Sequence, residues 1–247
     1  MLYVTDLSEC DSPFGALKEL VSLQKKLFDR VVFALPVSLQ KRASDLPDPG
    51  IPFTTKTLPT LSFDAIVAAA REDDVSSIII DCDTAAHEAM LHQLASNSPL
   101  PVLVLDRNVP THGLLSHVIF ATDWSLPSEK AMDQILACAE LIYELDIIHV
   151  ISEKLTVKGM RELKERLEHT RKICLSEGIN AESHIYAGEV VEEIITASED
   201  YRGTVIVVGA DSRRTFTERV FRRSKVCSLL QQAAVPVFFV PFAAEGD

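Results

Sequence analysis

Between an apolar run ending at Gly209 and a helical run beginning near residue 224, the chain places Ser212, Arg213, Arg214, Arg219, Arg222, Arg223, Ser224 and Lys225. Six cations within thirteen residues stand out in a chain whose formal net charge is −12. Guanidinium groups form paired hydrogen bonds with phosphate oxygens. A glycine lets backbone approach a ligand closely or take positive φ, and a serine opening a helix leaves free N–H groups facing an anion. These types in this order fit phosphate recognition. They have plainer uses too: Gly209 in a tight turn, Ser224 as a simple cap, and Thr215-x-x-Glu218 as a capping box for a short helix with its arginines in water.

The same segment is where two internal copies differ most. Residues 118 to 125, VIFATDWS, echo residues 1 to 8, MLYVTDLS, each closing an apolar run with Thr-Asp-x-Ser (Thr5-Asp6-x-Ser8 and Thr122-Asp123-x-Ser125). IIIDCD at 78 to 83 matches IVVGAD at 206 to 211, and LPVLVL at 100 to 105 matches VPVFFV at 235 to 240. The second copy carries seven more residues between Asp211 and Pro236 than the first does between Asp83 and Pro101. In the first copy Asp81 stands where Gly209 stands in the second, and a carboxylate there repels phosphate oxygens. A magnesium-dependent phosphoacceptor built on Asp6 and Asp81 would want a lysine at the end of the last strand, where Leu105-Asp106 is found.

The elements that must position these residues follow from apolar periodicity. In the second copy strands are predicted at 117 to 122, 145 to 151, 181 to 187, 204 to 209 and 236 to 240, alternating with helices at 127 to 143, 155 to 177, 189 to 200 and 224 to 233. Strict alternation implies a parallel sheet with helices on both faces. Ala131, Ile135, Leu136, Ala139 and Ile142 form one helical apolar stripe, and Val191, Ile194, Ile195 and Ala197 another, both read as core. The first copy is shortened: strands at 1 to 6, 30 to 37, 51 to 57, 76 to 81 and 101 to 105, helices near 14 to 28, 62 to 72 and 85 to 95. KRASDLPDPG at 41 to 50 leaves little room there for a long helix. DRNVPTHG at 106 to 113 reads as a linker between domains spanning 1–108 and 114–243. In such sheets ligands collect beyond the carboxyl ends of the strands, which singles out Thr122-Asp123, Val150 to Ser152 and Gly209 to Ser212.

Composition excludes several classes. Residues 1 to 112 hold 9 Lys/Arg against 15 Asp/Glu and residues 113 to 247 hold 15 against 21, so binding nucleic acid by counterion release is not expected. No apolar run approaches the roughly 20 residues of a membrane helix and no signal-like leader opens the chain, so a cytoplasmic protein is expected. The five cysteines lack a C-x-x-C pair and read as reduced thiols. No nucleophile elbow, Walker loop, dinucleotide fingerprint or H-E-x-x-H helix is present. His87 and His92 are five apart, off the spacing of two ligands on one helix face, and no metal site or catalytic residue is expected.

ATDWSLPSEKAMDQILACAELI, DIIHVIS, AGEVVEEIITAS, TVIVVGADS and QQAAVPVFFV, in that order over residues 115 to 241, resemble the universal stress protein A family, and by internal repetition the first copy is similar to a diverged unit of it. The resemblance implies an α/β fold of two tandem five-stranded parallel sheets of order 3-2-1-4-5, adenine nucleotide α-hydrolase-like, pairing head to head through their last strands as an intrachain pseudodimer, with a homodimer open as well. It implies a stress-response regulator without catalysis, binding ATP or AMP with Mg, and an unidentified protein partner. Family members that bind nucleotide carry G-x-x-G, nine residues, then G-[ST]. Here Gly209 matches the first glycine, Ser212 replaces the second, Arg223 replaces the third after ten residues, and Ser224 matches the hydroxyl residue, with Lys225 and Val226 following. Ala121, Thr122, Asp123 and Val150 match the adenine and ribose side. Loss of two glycines implies a weakened site in the second unit. The alternative is a nucleotide-free interaction scaffold.

Overall fold

The computed structural model describes residues 1–6, 29–46, 48, 50–106, 109, 113–210 and 225–241. The predicted helix at 14 to 28 and the basic loop with Ser212, Arg223 and Ser224 lie outside them.

Strands β1 (Leu2–Thr5), β2 (Val31–Pro36), β3 (Phe53–Leu58), β4 (Ile78–Cys82) and β5 (Val102–Asp106) belong to the first half, with helices α1 (Phe63–Glu72) and α2 (Glu88–Asn97). The second half contains β6 (His117–Ala121), α3 (Leu126–Ala137), β7 (Glu144–Ile151), α4 (Val157–Ser176), β8 (Asn180–Ala187), α5 (Val190–Asp200), β9 (Val205–Ala210), α6 (Lys225–Gln232) and β10 (Val237–Pro241). The inner strands β1 and β4 are buried along their whole length, as apolar runs covered on both faces should be. The outermost strands, β3 (FTTKTL) and β8 (NAESHIYA), carry polar residues and are largely open, in keeping with sheet edges. Local caps start two helices: the Ser62 hydroxyl accepts the Ala65 N–H at 3.4 Å and the Thr156 hydroxyl accepts the Gly159 N–H at 3.0 Å.

The expectation of two tandem five-stranded sheets is corrected. One ten-stranded sheet runs in the order β3-β2-β1-β4-β5-β10-β9-β6-β7-β8. Each half keeps the 3-2-1-4-5 order in parallel, and β10 joins β5 antiparallel, with Val237 opposite Val104, Phe238 opposite Leu103 and Phe239 opposite Val102. The cause is the last strand of each half, which alone would leave a row of unpaired N–H and C=O groups along an apolar edge. Joined, the two edges satisfy each other.

Two further differences concern helices. The helix expected over 127 to 143 ends at Ala137, and a 3-10 turn over Ala139–Leu141 follows. The turn still buries Ile142 and lets β7 begin at Glu144, while Ala131 and Ile135 of the predicted stripe lie in the core. In the first half a 3-10 helix over Val37–Asp45 stands where the second half has the 20-residue α4. Among the described residues, no helix is long and apolar enough to cross a membrane.

Phe239 has no exposed surface and sits in the strand that bonds to both β5 and β9. Phe239→Ala is expected to destabilise the protein by about 3–5 kcal/mol, read from the urea midpoint. A loss below about 1 kcal/mol, smaller than for ordinary core truncations, would show that the seam is not tightly packed.

Candidate functional site

The carboxyl ends of β6, β7 and β9 and the first turn of α6 enclose a cleft of about 360 Å³. The register sets Ala121 beside Ile148 on one side and Val208 on the other. Seven of the ten residues singled out in the sequence line it: Ala121, Thr122, Asp123, Val150, Gly209, Lys225 and Val226. The other three, Ser212, Arg223 and Ser224, lie outside the described residues. One wall is apolar, with Ile148, Val150, Val190 and Ile194; Asp123 and Lys225 bring opposite charges to the same space. A second cavity of about 330 Å³ beneath α3 is lined by side chains such as Leu103, Val118, Ile135 and Phe238, with no charged group among them. It offers little to an anion.

The turn leaving β6 is tied by its own side chains. Asp123 Oδ1 accepts the Ser125 N–H at 3.0 Å and the Ser128 hydroxyl at 2.7 Å, and the Thr122 hydroxyl accepts the Trp124 N–H at 3.0 Å. Trp124 has φ +53°, a conformation costing on the order of 1–3 kcal/mol for a bulky residue, which these bonds help to hold. Partial desolvation pushes the Asp123 carboxyl up. The hydrogen bonds from Ser125 and Ser128 outweigh it, so the group lies below its ordinary value. Asp123 is therefore a pre-oriented carboxylate, suited to accept hydroxyl hydrogen bonds.

Two cleft residues that tie down the turn after β6 escaped the sequence reading. Ser128 gives no sign of its role except its place five residues after Asp123, near a helix start. His149 precedes Val150 on β7. Its Nδ1 lies 2.8 Å from the Thr122 carbonyl oxygen, and because a carbonyl only accepts, Nδ1 carries the proton. The His149 ring packs on Trp124 at 4.8 Å between centroids, and the Arg166 guanidinium lies 4.5 Å from the Trp124 ring centre on a cation–π contact.

Gly209 has a structural explanation. It is not among the residues with positive φ. A Cβ built there would lie 2.3 Å from Ser128 N and 2.6 Å from Pro127 C, so only glycine admits the first turn of α3 against β9. In the first half the equivalent carboxylate is turned onto the face of the sheet rather than into an open cleft. Asp81 is nearly buried, and the Tyr3 hydroxyl donates to its Oδ2 at 2.5 Å. Burial, then the Asp81 charge and this bond, hold the Tyr3 phenol well above its ordinary value. The strand ends above are spanned by side chains: His87 Nε2 faces Asp6 Oδ2 at 3.2 Å, and the Thr84 N–H and hydroxyl both donate to Asp106 Oδ2. Asp6 and Asp81 thus face different partners.

A model described as the universal stress protein family matches residues 115–241, just over half of the chain. Across nearly its whole length the fold is similar to a universal stress protein from Archaeoglobus fulgidus DSM 4304, with 17% identity, a TM-score of 0.75, and coverage of 99% of this chain and 97% of that one. It is similar also to a functionally unknown protein from Pseudomonas aeruginosa PAO1, with 14% identity, a TM-score of 0.71, and coverage of 98% and 92%. At these identities the likeness concerns the fold. No curated protein matches the sequence.

Gly209→Ala is expected to destabilise the protein by about 1–3 kcal/mol or more, because the new methyl group meets helix backbone rather than a movable side chain; an unchanged urea midpoint would show that α3 yields. The Asp123 carboxyl titrates lower folded than unfolded, so its contribution to stability is present above the unfolded value of about 3.9 and is lost as pH falls through the lower folded value. The difference in urea midpoint between wild type and Asp123→Asn should accordingly shrink below about pH 4. A difference that grew on acidification would contradict the hydrogen-bonded carboxylate.

Proposed function

Because the chain belongs to the universal stress protein family, we propose that it is a tandem member, cytoplasmic and without catalysis of its own, that regulates a stress response through one weakened ATP or AMP site in its second half. The observation that carries this reading is the convergence of Ala121, Thr122, Asp123, Val150, Gly209, Lys225 and Val226 on one cleft. Its volume falls within the roughly 300–1,000 Å³ of small-molecule sites. Its chemistry suits each part of a nucleotide. Ile148, Val150 and Ile194 give adenine an apolar wall, the Asp123 carboxylate gives ribose hydroxyls an acceptor, and Lys225 at the start of α6 brings a cation to the phosphates. Mg²⁺ would enter with a triphosphate, since it is held largely by phosphate oxygens and water.

The first half is assigned no nucleotide. Asp6–His87 and Thr84–Asp106 contacts span its strand ends, and Asp81 replaces glycine. In this reading bound nucleotide acts through the segment between Asp211 and Lys225 on the surface offered to a protein partner. A nucleotide-free scaffold is the second reading. Gly209 favours it, because packing against α3 accounts for that glycine without a ligand.

Calorimetric titration with ATP and Mg²⁺, repeated with AMP, separates the two. The first reading expects one site per chain, abolished by Asp123→Ala and weakened by Lys225→Ala. No heat at millimolar nucleotide, or binding indifferent to Asp123→Ala, leaves the scaffold.

A further inference from the structure

Toward the amino ends of β6 and β7 and the middle of β8, on the face covered by α5, lies a polar cluster that the nucleotide cleft does not use. Asp146 is buried within the sheet. Its Oδ1 lies 2.8 Å from His184 Nε2 and its Oδ2 lies 2.6 Å from His117 Nε2. Glu182, on the same strand face as His184, brings Oε2 to 3.9 Å from His184 Nε2. One ligand atom from each of Asp146, Glu182 and His184 lies within 4.8 Å of the others. Outer partners fix these groups: the Tyr201 hydroxyl is 3.0 Å from His184 Nδ1 with the two rings stacked, and Glu144 Oε2 is 3.3 Å from His117 Nδ1.

We propose that His184, Asp146 and Glu182 bind one divalent first-row transition ion of the Zn²⁺ type, with His117 and Tyr201 orienting the ligands. One imidazole and two carboxylates leave a fourth position for water, the pattern of an open rather than a closed zinc site. Without the ion His184 Nε2 donates to the Asp146 carboxylate; binding displaces that proton, leaving the ring proton on Nδ1 with the Tyr201 oxygen as its acceptor and the Nε2 lone pair on the ion. Ligand bonds of about 2.0–2.1 Å set roughly tetrahedrally require His184 Nε2 and Asp146 Oδ1 to separate by about 0.5 Å beyond their hydrogen-bonded distance, and Glu182, being mostly exposed, closes in freely. His117 holds the other Asp146 oxygen, as outer partners of ligating carboxylates do. A depression lined by His184, Tyr186 and Tyr201 on the β8 edge gives the ion a way in. The nucleotide cleft is lined by other residues, from the carboxyl ends of β6, β7 and β9, and the ion is titrated without nucleotide, so the two sites are tested independently.

The test is titration of Zn²⁺ against a chromophoric chelator, with Co²⁺ absorption as a second readout, on the full chain without nucleotide. One equivalent should bind per chain and Co²⁺ should develop visible ligand-field bands. Glu182→Gln, at an exposed position that should not disturb folding, and His184→Gln should remove the stoichiometric site. His117→Gln and Tyr201→Phe should keep the stoichiometry and lower affinity about 10–100-fold. Absence of saturable binding, or the same stoichiometry and affinity in Glu182→Gln and His184→Gln as in wild type, would reduce the cluster to a hydrogen-bonded brace between strands and overturn the proposal.

Discussion

The antiparallel ladder between β5 and β10 is the constraint on which the rest of the structure depends. It converts two open edges into interior strands, so Val102, Val104, Val237 and Phe239 can be apolar and buried in strands that would otherwise need charges or bulges to stay soluble. It lets both apolar cores run across the junction: Ile80 and Val104 of the first half share one with Ile206 and Phe239 of the second, while Tyr3 and Leu103 share the other with Phe120 and Val240. Neither half buries its last strand alone.

Within that frame the duplicated halves diverged by coupled exchanges. Where the second half pairs Phe120 with Gly209, the first places Tyr3 and Asp81 in the same two positions, and the added hydroxyl and carboxylate bond to each other. A carboxylate there without the hydroxyl would be a buried acceptor lacking one partner. A hydroxyl without the carboxylate would lack its acceptor. The exchange also removes the glycine that admits a helix start against the sheet. The two copies therefore differ in the side chains at this point of the sheet, in addition to loop length.

Much of this was legible in the sequence because parallel interior strands read as unbroken apolar runs, and runs such as IIIDC and VIVVGA name their own positions. The cleft was legible for a related reason: topology places ligands at strand ends, and Thr122, Val150 and Gly209 close three of them. What stayed hidden depends on long-range geometry. Nothing local to residues 100 to 105 says that they lie beside 237 to 239; that pairing was expected only through the family resemblance, which implies joining by the last strands. The end of α3 at Ala137 reflects the need to start β7 at Glu144, which propensity does not encode. Gly209 suggested ligand approach or a turn and proved to be a packing contact. His117, Asp146 and His184 come from three strands, 29 and 38 positions apart, so no spacing rule finds them.

The seam has one more consequence. Because parallel halves meet antiparallel, their carboxyl ends face opposite edges of the sheet. The edge that carries the cleft in the second half is therefore the amino edge of the first, and the edge carrying the Asp6–His87 contact is also the one nearest the His184 cluster. A symmetric pair of identical units would present the same chemistry on both edges. This chain has a front and a back, with different side chains on each.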